Sequence, residues 1–351
     1  MKQFRNNVIR AGLGALYFSG AHHLLRPIFS GVGAIFMLHH VRPAREAEFA
    51  PNRHLEVTPD FLRAVLTHLQ SHDIEVVTID EFHQRLTMQN FGRRFACFTF
   101  DDGYRDNRDH ALPVMREFNA PFTVFVTSDF AAGTGLLWWI ALEHVITAAD
   151  TLEVTIGGTA MQLDASTVAS KNAAFERLHD WLRALPDVEV RREIAALCAR
   201  HGVDPAAICA DLCMSWGELR QFAADPLVTI GAHSISHCNL AQQSEAVATF
   251  EMRESRARIE QALQKDVVHL AYPYGDRSAA GQREFAIARS AGYKTAVTTR
   301  PGMVYPESGR HPTALPRVSL NGNYQDARIL PVLTSGAATA MWNGFRRIDA
   351  A

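Results

Sequence analysis

The sequence predicts an α/β fold in which mainly parallel strands alternate with helices. The first observation is a rhythm, because short apolar, β-prone runs are followed by segments with the apolar spacing of amphipathic helices. The second is that polar, chemically active residues directly follow several of these runs, as they do at the carboxyl ends of parallel strands. The third is length, because 351 residues exceed the usual single domain but suit an α/β barrel.

In the first part of the chain this rhythm predicts a strand at residues 33–38 and a helix opened by Thr58 and Pro59. A capping threonine followed by proline is typical of a helix N-terminus. The apolar stripe of this helix consists of Phe61, Leu62, Val65, Leu66 and Leu69. The next predicted elements are strand 74–79, helix 80–86, strand 95–100, a helix near residues 112–118 and strand 121–127. Repeated strand–helix–strand units imply a parallel sheet with right-handed crossovers.

Residues 136–212 interrupt the alternation and are interpreted as a mostly helical insertion. The predicted elements are a hairpin of strands 152–156 and 161–163, followed by helices 172–185 and 188–201. Two roles are open for Trp138 and Trp139: core packing, which is the usual role of aromatic bulk, or stacking on pyranose rings. We expect the insertion to pack beside the main sheet and to cover one side of a cleft.

The alternation resumes after the insertion. The predicted elements are a helix from residue 215, strand 227–232, helix 245–263, strand 267–271, helix 282–291, strand 294–298 and strand 315–320. The tail after residue 330 is apolar enough to dock but carries no interpretable motif. No internal repeat or low-complexity linker interrupts the sequence, which favours one main domain.

The composition is that of a globular protein, with 47% hydrophobic and 21% charged residues. A formal net charge of −2 gives no reason to expect a nucleic-acid partner. The five cysteines are scattered and odd in number, which argues against a disulfide framework. We therefore expect reduced, buried thiols, as in a cytosolic protein.

Residues 1–30 support more than one interpretation. Basic residues precede the apolar stretch 11–18, which is the outline of a secretory signal. The stretch is interrupted by two glycines and is too short to span a bilayer. An amphipathic helix is the favoured alternative, with Val8, Ile9, Leu13, Leu16 and Tyr17 roughly on one side. Such a helix docks on the domain or makes peripheral contact with a membrane. The expected location is therefore cytoplasmic or peripheral to a membrane, with secretion as the alternative.

Two adjacent carboxylates, Asp101 and Asp102, follow the predicted strand 95–100 and precede Gly103. Paired carboxylates are costly at the end of a buried strand, because like charges repel and each resists desolvation. Catalytic groups occupy this position in α/β folds. A solvated turn is the alternative, since Asp-Asp-Gly is also good turn chemistry.

A histidine pair follows another predicted strand, with His233 and His237 separated by four positions just after residues 227–232. Two imidazoles at this spacing converge on one ion if the residues between them form a helical turn. A histidine pair alone is usually core or surface filler. Together with an acidic strand end it predicts a site with two histidines and one carboxylate, which leaves open positions for water and substrate.

Three blocks together resemble a known family. The chain contains T-F-D-D-G at residues 99–103, H-S-x-x-H at residues 233–237 and Y-P-Y-G at residues 272–275. In this order and spacing they resemble the polysaccharide deacetylases of the NodB-homology, carbohydrate esterase family 4 type. The resemblance implies a distorted (β/α)7-type barrel over residues 31–330, with the insertion inside it and residues 331–351 as a C-terminal tail.

The resemblance also implies a role for each site residue. Asp102, His233 and His237 match the ligands of a divalent metal, most often Zn²⁺, with Co²⁺ and Ni²⁺ as alternatives. Asp101 matches the catalytic base. The backbone N–H of Tyr274 matches an oxyanion donor.

The general-acid histidine lies near the C-terminus in many relatives and N-terminal to T-F-D-D-G in a permuted branch. The chain resembles that branch, so His39 matches the general acid and His40 the variable position beside it. Many relatives also carry an arginine upstream of P-Y-G that orients the catalytic aspartate. Here that block reads His269-Leu270-Ala271, and we expect Arg317 on the last strand to reach the site instead.

The function implied by the resemblance is removal of N-acetyl groups from an N-acetylhexosamine-containing polysaccharide or its lipid-linked precursor. An O-deacetylase or a small-amide hydrolase on the same scaffold is an alternative, because activity depends on the pocket around a shared site. A non-catalytic glycan-binding protein is another. The expected partner is therefore a carbohydrate, and the sequence leaves the oligomeric state open.

Overall fold

A computed structural model describes residues 2–348 of the chain, with side chains from residue 6 onward. The strands within this range are β1 Gly33–Leu38, β2 His40–Val41, β3 Glu56–Val57, β4 Glu75–Val76, β5 Phe95–Phe100, β6 Phe122–Val126, β7 Thr151–Ile156, β8 Thr159–Asp164, β9 Val228–Ala232, β10 His269–Ala271, β11 Thr295–Pro301 and β12 Leu315–Ser319. The helices are α1 Lys2–Phe18, α2 Ala21–Phe29, α3 Pro59–Ser71, α4 Ile79–Met88, α5 Leu112–Glu117, α6 Ser128–Ala131, α7 Trp138–Ala148, α8 Val168–Ala184, α9 Asp187–His201, α10 Pro205–Leu212, α11 Trp216–Phe222, α12 Glu245–Leu263, α13 Gln282–Ser290, α14 Leu330–Thr334 and α15 Ala337–Trp342.

Seven parallel strands of the described chain close into a barrel in the order β1, β12, β11, β10, β9, β6, β5, and β5 pairs again with β1. The short strand β4 extends the sheet beyond β5. The barrel is irregular because β10 has three residues and because the β11–β12 register shifts between Val297 and Pro301. The prediction of a distorted barrel of mainly parallel strands is confirmed.

The β1–β5 pairing determines which residues meet at the carboxyl end of the barrel. Its register runs from Gly33 opposite Phe95 to Leu38 opposite Phe100. The residues that follow the two strands, His39 and Asp101, therefore leave the barrel side by side. This closure joins two strands that are separated by two helices in the chain.

Local sequence explains both the agreement and the differences in element boundaries. The Thr58 hydroxyl accepts from Phe61 N at 3.1 Å and caps α3 as predicted, with the predicted apolar stripe buried. The predicted strand 74–79 is too long, and only Glu75–Val76 is a strand. The cause is a second cap: the Thr78 hydroxyl accepts from Glu81 N at 3.1 Å, so helix α4 starts at Ile79.

The insertion has its own apolar core, built from α7, α8, α9, α10 and the β7–β8 hairpin. Trp138 and Trp139 are 5% and 7% exposed and belong to this core, which agrees with the packing role. The hairpin pairs Ile156 with Thr159 across the two glycines, as the sequence predicts. Helix α10 is missing from the sequence prediction, although Asp204 before Pro205 is a recognisable N-cap.

The two ends of the chain pack together on the outside of the barrel. Leu13 of α1 lies in a small core with Val332 and Ala337, and Ile9 packs against it. Val8, which the sequence interpretation placed on the same side, is instead 54% exposed. In the part of the chain that is described, no helix combines the length and apolar character needed to cross a bilayer. The five cysteines are all buried free thiols, as expected.

Candidate metal and catalytic centre

Asp101 is held by a buried arginine. The carboxylate is 2% exposed and accepts two parallel hydrogen bonds, from Arg317 Nη1 to Oδ1 at 2.8 Å and from Nη2 to Oδ2 at 2.6 Å. Arg317 is itself fixed, because Nε donates to the Thr298 carbonyl at 2.8 Å and Nη1 donates to the Thr99 hydroxyl at 3.1 Å. The arginine on the last strand therefore contacts the predicted base.

This pairing determines the charge of Asp101. Burial by itself raises the pKa of a carboxyl group, but the Arg317 guanidinium outweighs it and holds the pKa of Asp101 below its usual range. The carboxylate is therefore ionised at neutral pH, as a proton acceptor requires.

Asp102 points in a different direction because the chain turns sharply at this residue. Asp102 has φ 75° and Gly103 has φ 72°, so two consecutive residues adopt the left-handed conformation. A Cβ added at Gly103 would also meet the Val126 side chain at 3.4 Å. The predicted Asp-Asp-Gly turn is present, but it is buried rather than solvated, with Asp102 1% exposed.

The two histidines approach Asp102 from the end of β9. His233 Nε2 lies 3.5 Å and His237 Nε2 lies 3.4 Å from Asp102 Oδ1. The residues between the histidines do not form the helical turn that the sequence argument required. Ser234 and His237 have φ 61° and 58°, and the Ser234 hydroxyl accepts from His237 N at 3.0 Å. A compact loop therefore brings the rings together, and that part of the prediction is wrong.

The imidazole of His233 presents an unprotonated nitrogen to this point. His233 Nδ1 lies 2.7 Å from the Ala271 carbonyl, and because a carbonyl only accepts, Nδ1 carries the proton and Nε2 keeps its lone pair. Burial lowers the pKa of both histidines, which keeps them neutral. Neutral imidazole is the form that binds metals.

The donor set fits one divalent ion. One atom each from Asp102, His233 and His237 lies within 4.8 Å of the others. Donors at about 2.1 Å from a shared tetrahedral ion lie roughly 3.4 Å apart, which matches the two carboxylate–imidazole distances. Asp102 Oδ1 is buried and has no hydrogen-bond partner among the described residues. Burial and the charge of Asp101 raise the pKa of Asp102 to about 8, and a cation bound at Oδ1 would counter both effects.

His39 lies beside Asp101, with Nε2 4.0 Å from Asp101 Oδ2 and the side chain 21% exposed. Burial lowers the pKa of His39 to about 3, with Arg317 acting in the same direction and Asp101 opposing them. The imidazole is therefore neutral at pH 7, and it must receive a proton before it can donate one.

The sequence did not reveal the residues that hold His39 and His40 in place. Asn107 Nδ2 donates to the His39 carbonyl at 2.7 Å, and Asp106 Oδ2 lies 2.6 Å from His40 Nδ1. His40 is 1% exposed and its ring stacks on Tyr104 with a centroid distance of 3.6 Å. The available signal was the cluster of polar residues directly after Asp-Asp-Gly, which lies in the helical turns that follow Gly103.

Tyr274 and residues of the insertion line the site next to His237. Its ring centroid lies 5.1 Å from that of His237, and its hydroxyl accepts from Trp138 Nε1 at 2.8 Å. Trp139 also contacts His237, with ring centroids 4.9 Å apart. Arg183 of α8 lies over the Tyr274 ring and forms an ion pair with Asp276. The insertion therefore lines the histidine side of the site.

Solved structures with a similar fold include two that are named as deacetylases. The deacetylase PplD from Streptococcus pyogenes in complex with acetate is 18% identical with a TM-score of 0.55, covering 83% of this chain and 92% of that one. IcaB from Ammonifex degensii is 16% identical with a TM-score of 0.53, covering 86% and 97%. A polysaccharide deacetylase from Bacillus cereus is 14% identical with a TM-score of 0.53, covering 86% and 68%. No curated protein matches the chain.

The family model described as polysaccharide deacetylase matches residues 89–296, more than half of the chain. The matched segment contains both aspartates, both histidines of the buried donor set and Tyr274. His39 and Arg317 lie outside it and reach the same cleft only through the closure of the barrel. By this match the chain belongs to the polysaccharide deacetylase family.

Proposed function

We propose that this chain is a metal-dependent de-N-acetylase that acts on an N-acetylhexosamine-containing polysaccharide or its lipid-linked precursor. The observation that carries the proposal is the buried, unpartnered Asp102 Oδ1 facing two neutral imidazole nitrogens, with a separate ionised carboxylate alongside. Amide hydrolysis needs one carboxylate that binds the cation and a second, ionised carboxylate that acts as the base, and this site offers both.

Asp102, His233 and His237 would hold the metal, with Zn²⁺ as the best match to two nitrogens and one oxygen and with Co²⁺ or Ni²⁺ as alternatives. When bound, the ion polarises the acyl carbonyl and makes water more acidic. Asp102 and both histidines are 9% exposed or less, so the donor atoms themselves are shielded from bulk water.

Asp101 is assigned as the general base. Its low pKa and its two bonds to Arg317 keep it ionised and fixed in orientation. A fixed carboxylate accepts the proton from an attacking water without reorganising during the reaction. Arg317 is assigned as a positioning residue, because it acts through Asp101.

His39 is assigned as the group that protonates the departing amine, and the backbone N–H of Tyr274 as an oxyanion donor. Because His39 is neutral at rest and lies beside Asp101, the proton it delivers must be one that it gains during the reaction. The two groups are 4.0 Å apart, which is beyond hydrogen-bond distance, so a water or the reacting group between them would have to carry the proton. Tyr274 adopts φ 59°, a conformation that turns the backbone of the Y-P-Y-G block sharply next to His237.

The test is acetate release from a short N-acetylglucosamine oligomer by the full chain. We expect activity that is lost with a chelator and restored by Zn²⁺ or Co²⁺, and that is lost in Asp101→Asn without loss of bound metal. Asp326→Asn, a change in a solvent-exposed ion pair, serves as the matched control. Release of acetate only from O-acetylated sugars would show instead that the chain is an O-deacetylase. Full activity in Asp101→Asn would overturn the assigned base.

A further inference from the structure

The two ends of the chain share an unusual charge distribution. Residues 1–30 contain four Lys or Arg and no Asp or Glu, and the first acidic residue is Glu46. Residues 326–349 contain three arginines and two aspartates, which stand at the two ends of this range. The whole chain nevertheless has a formal net charge of −2. Positive charge is therefore concentrated in the two segments that pack together on one side of the barrel.

Helix α1 is apolar on its outer face as well as on its inner face. Its inner face packs through Leu13. The outer face carries Val8, Ala11, Ala15 and Phe18 at helical spacing, and Phe18 is 74% exposed. A surface helix of a water-facing protein normally places polar residues on its outer side, so this pattern indicates an outer face that is covered by something apolar.

Helix α2 repeats the pattern next to it. Leu24 and Ile28 lie one turn apart and are 80% and 52% exposed, while His22 and Phe29 are buried on the other side. The end of α15 and the residues after it add Trp342 and Phe345, which are 57% and 58% exposed. Large apolar side chains therefore point outward from α1, from α2 and from the C-terminal segment.

These elements form one continuous surface. The Phe29 and Phe345 rings lie 6.2 Å apart, and Arg347 Nη2 donates to the Ile28 carbonyl at 2.9 Å. A Cβ added at Gly12 would meet Met341 Cε at 3.1 Å, so α1 and α15 are in close contact. We call the outer side of α1, α2 and residues 341–347 the terminal face.

Basic side chains lie around the terminal face. Arg26 of α2 and Arg346 are exposed, and Arg328 lies over the Phe18 ring at 5.8 Å while it also pairs with Asp326. Trp, Phe and Leu together with Arg on one amphipathic surface are typical of a segment that lies in the membrane interface.

We propose that the terminal face binds the surface of an anionic lipid bilayer, with Phe18, Leu24, Ile28, Trp342 and Phe345 at the boundary between headgroups and acyl chains. Charge favours a bilayer over a second copy of this chain, because pairing two terminal faces would bring the same basic residues together. Anionic headgroups instead neutralise them. The proposal is independent of the proposed function, because it concerns a surface that contains none of the proposed catalytic or metal-binding residues.

The test is co-sedimentation of the full chain with vesicles of phosphatidylcholine alone or with about 30 mol % phosphatidylglycerol. We expect binding to the anionic vesicles only, weakened at about 0.5 M salt because screening shortens the range of the charges. The double variant Leu24→Asp/Phe345→Asp should bind at least about tenfold more weakly than the unmodified chain. Val188→Asp, which changes a 75% exposed apolar residue on the insertion, is the matched control and should bind like the unmodified chain.

The outcomes separate this proposal from its alternatives. Unchanged melting temperature, together with unchanged acetate release from a soluble oligomer, would show that the double variant is folded. Equal binding by the double variant and the unmodified chain, or no binding to anionic vesicles at all, would overturn the proposal. A dimer in solution that the double variant dissociates would identify a second copy as the occupant. Vesicle binding without acetate release would support the proposed membrane binding by the terminal face and would contradict only the proposed deacetylase function.

Discussion

Arg317 and Asp101 form a buried bidentate ion pair, with Nη1–Oδ1 and Nη2–Oδ2 distances of 2.8 and 2.6 Å. Arg317 comes from β12 and Asp101 from the end of β5, and the two strands are both neighbours of β1 in the closed barrel. A cation and an anion buried together stabilise each other, whereas either one alone would be costly. The pair therefore fixes both the orientation and the charge of the proposed base.

The first prediction concerns the pH dependence that follows from this pair. Burial raises the pKa of Asp101 and Arg317 lowers it, so removing the guanidinium in Arg317→Gln leaves burial unopposed and the pKa rises. The base is then protonated over part of the working range. We expect kcat/KM at pH 7 to fall about 100-fold and the acidic limb of its pH profile to move toward neutral pH.

The control for this prediction is Arg317→Lys, which keeps the positive charge but not the paired geometry. It should lose rate with a smaller shift of the acidic limb. Superimposable pH profiles for the glutamine variant and the unmodified chain would show that Arg317 does not set the charge of Asp101.

The second prediction concerns Asn107, whose Nδ2 donates to the His39 carbonyl at 2.7 Å. Asn107→Ala removes this buried bond and frees the backbone that orients the His39 ring. A buried hydrogen bond contributes about 1–1.5 kcal/mol, so kcat should fall about tenfold while KM and zinc affinity stay the same. Asn90→Ala, on an exposed loop, is the control. A drop in zinc affinity equal to the drop in kcat would assign Asn107 to the metal site instead.

The sequence predicted those parts of the site that depend on strand ends. Asp101, Asp102 and His233 each directly follow a strand, and parallel strands present such residues at the same edge. His39 and Arg317 meet Asp101 only because β1 pairs with both β5 and β12, and this closure is not visible in local patterns. The family resemblance supplied the role of His39, whereas Arg317 was suggested because the block upstream of P-Y-G lacks the arginine that many relatives carry there.

Other features depend on contacts between segments that are distant in the chain. The loop that joins His233 to His237 is held by Glu251 of α12, whose Oε2 accepts from Ile235 N at 2.8 Å and from Ser236 N at 3.0 Å. Because the sequence does not reveal this partner, the four-residue spacing of the two histidines suggested a helical turn instead. Val8 was likewise assigned to the wrong side of α1, because the apolar residues of that helix lie on two faces and only tertiary packing distinguishes them.

The third prediction concerns stability at the junction between barrel and termini. Arg94 Nη2 donates to the carbonyl of Ser30 at 3.1 Å, where α2 ends, and to that of Thr334 at 2.6 Å, where α14 ends. A cation at the carboxyl ends of two helices also interacts favourably with their dipoles. Burial, together with the charge of Arg26, lowers the pKa of Arg94 to about 10, so it remains charged at pH 7.

Arg94→Met should therefore lower the free energy of unfolding by about 2–3 kcal/mol. The neighbouring change Arg93→Met removes only an exposed ion pair with Asp73 and should cost less than about 0.5 kcal/mol. Urea midpoints of the two variants provide the comparison. Equal midpoints would mean that the carbonyls of Ser30 and Thr334 find other donors and that Arg94 does not fasten the termini to the barrel.

The last prediction tests whether the insertion shapes substrate binding. Trp138 Nε1 donates to the Tyr274 hydroxyl at 2.8 Å, and the Tyr274 ring lies 5.1 Å from that of His237. Trp138→Phe keeps an aromatic ring in the core but removes the donor, so Tyr274 loses a fixed position beside His237, a proposed metal ligand. Losing about 1 kcal/mol of positioning should raise KM for an N-acetylglucosamine oligomer about fivefold with kcat nearly unchanged. Trp181→Phe, on the same insertion, controls for loss of aromatic area. If KM stays constant while kcat falls, Trp138 acts on the chemical step through His237, and the insertion does not select the substrate through Tyr274.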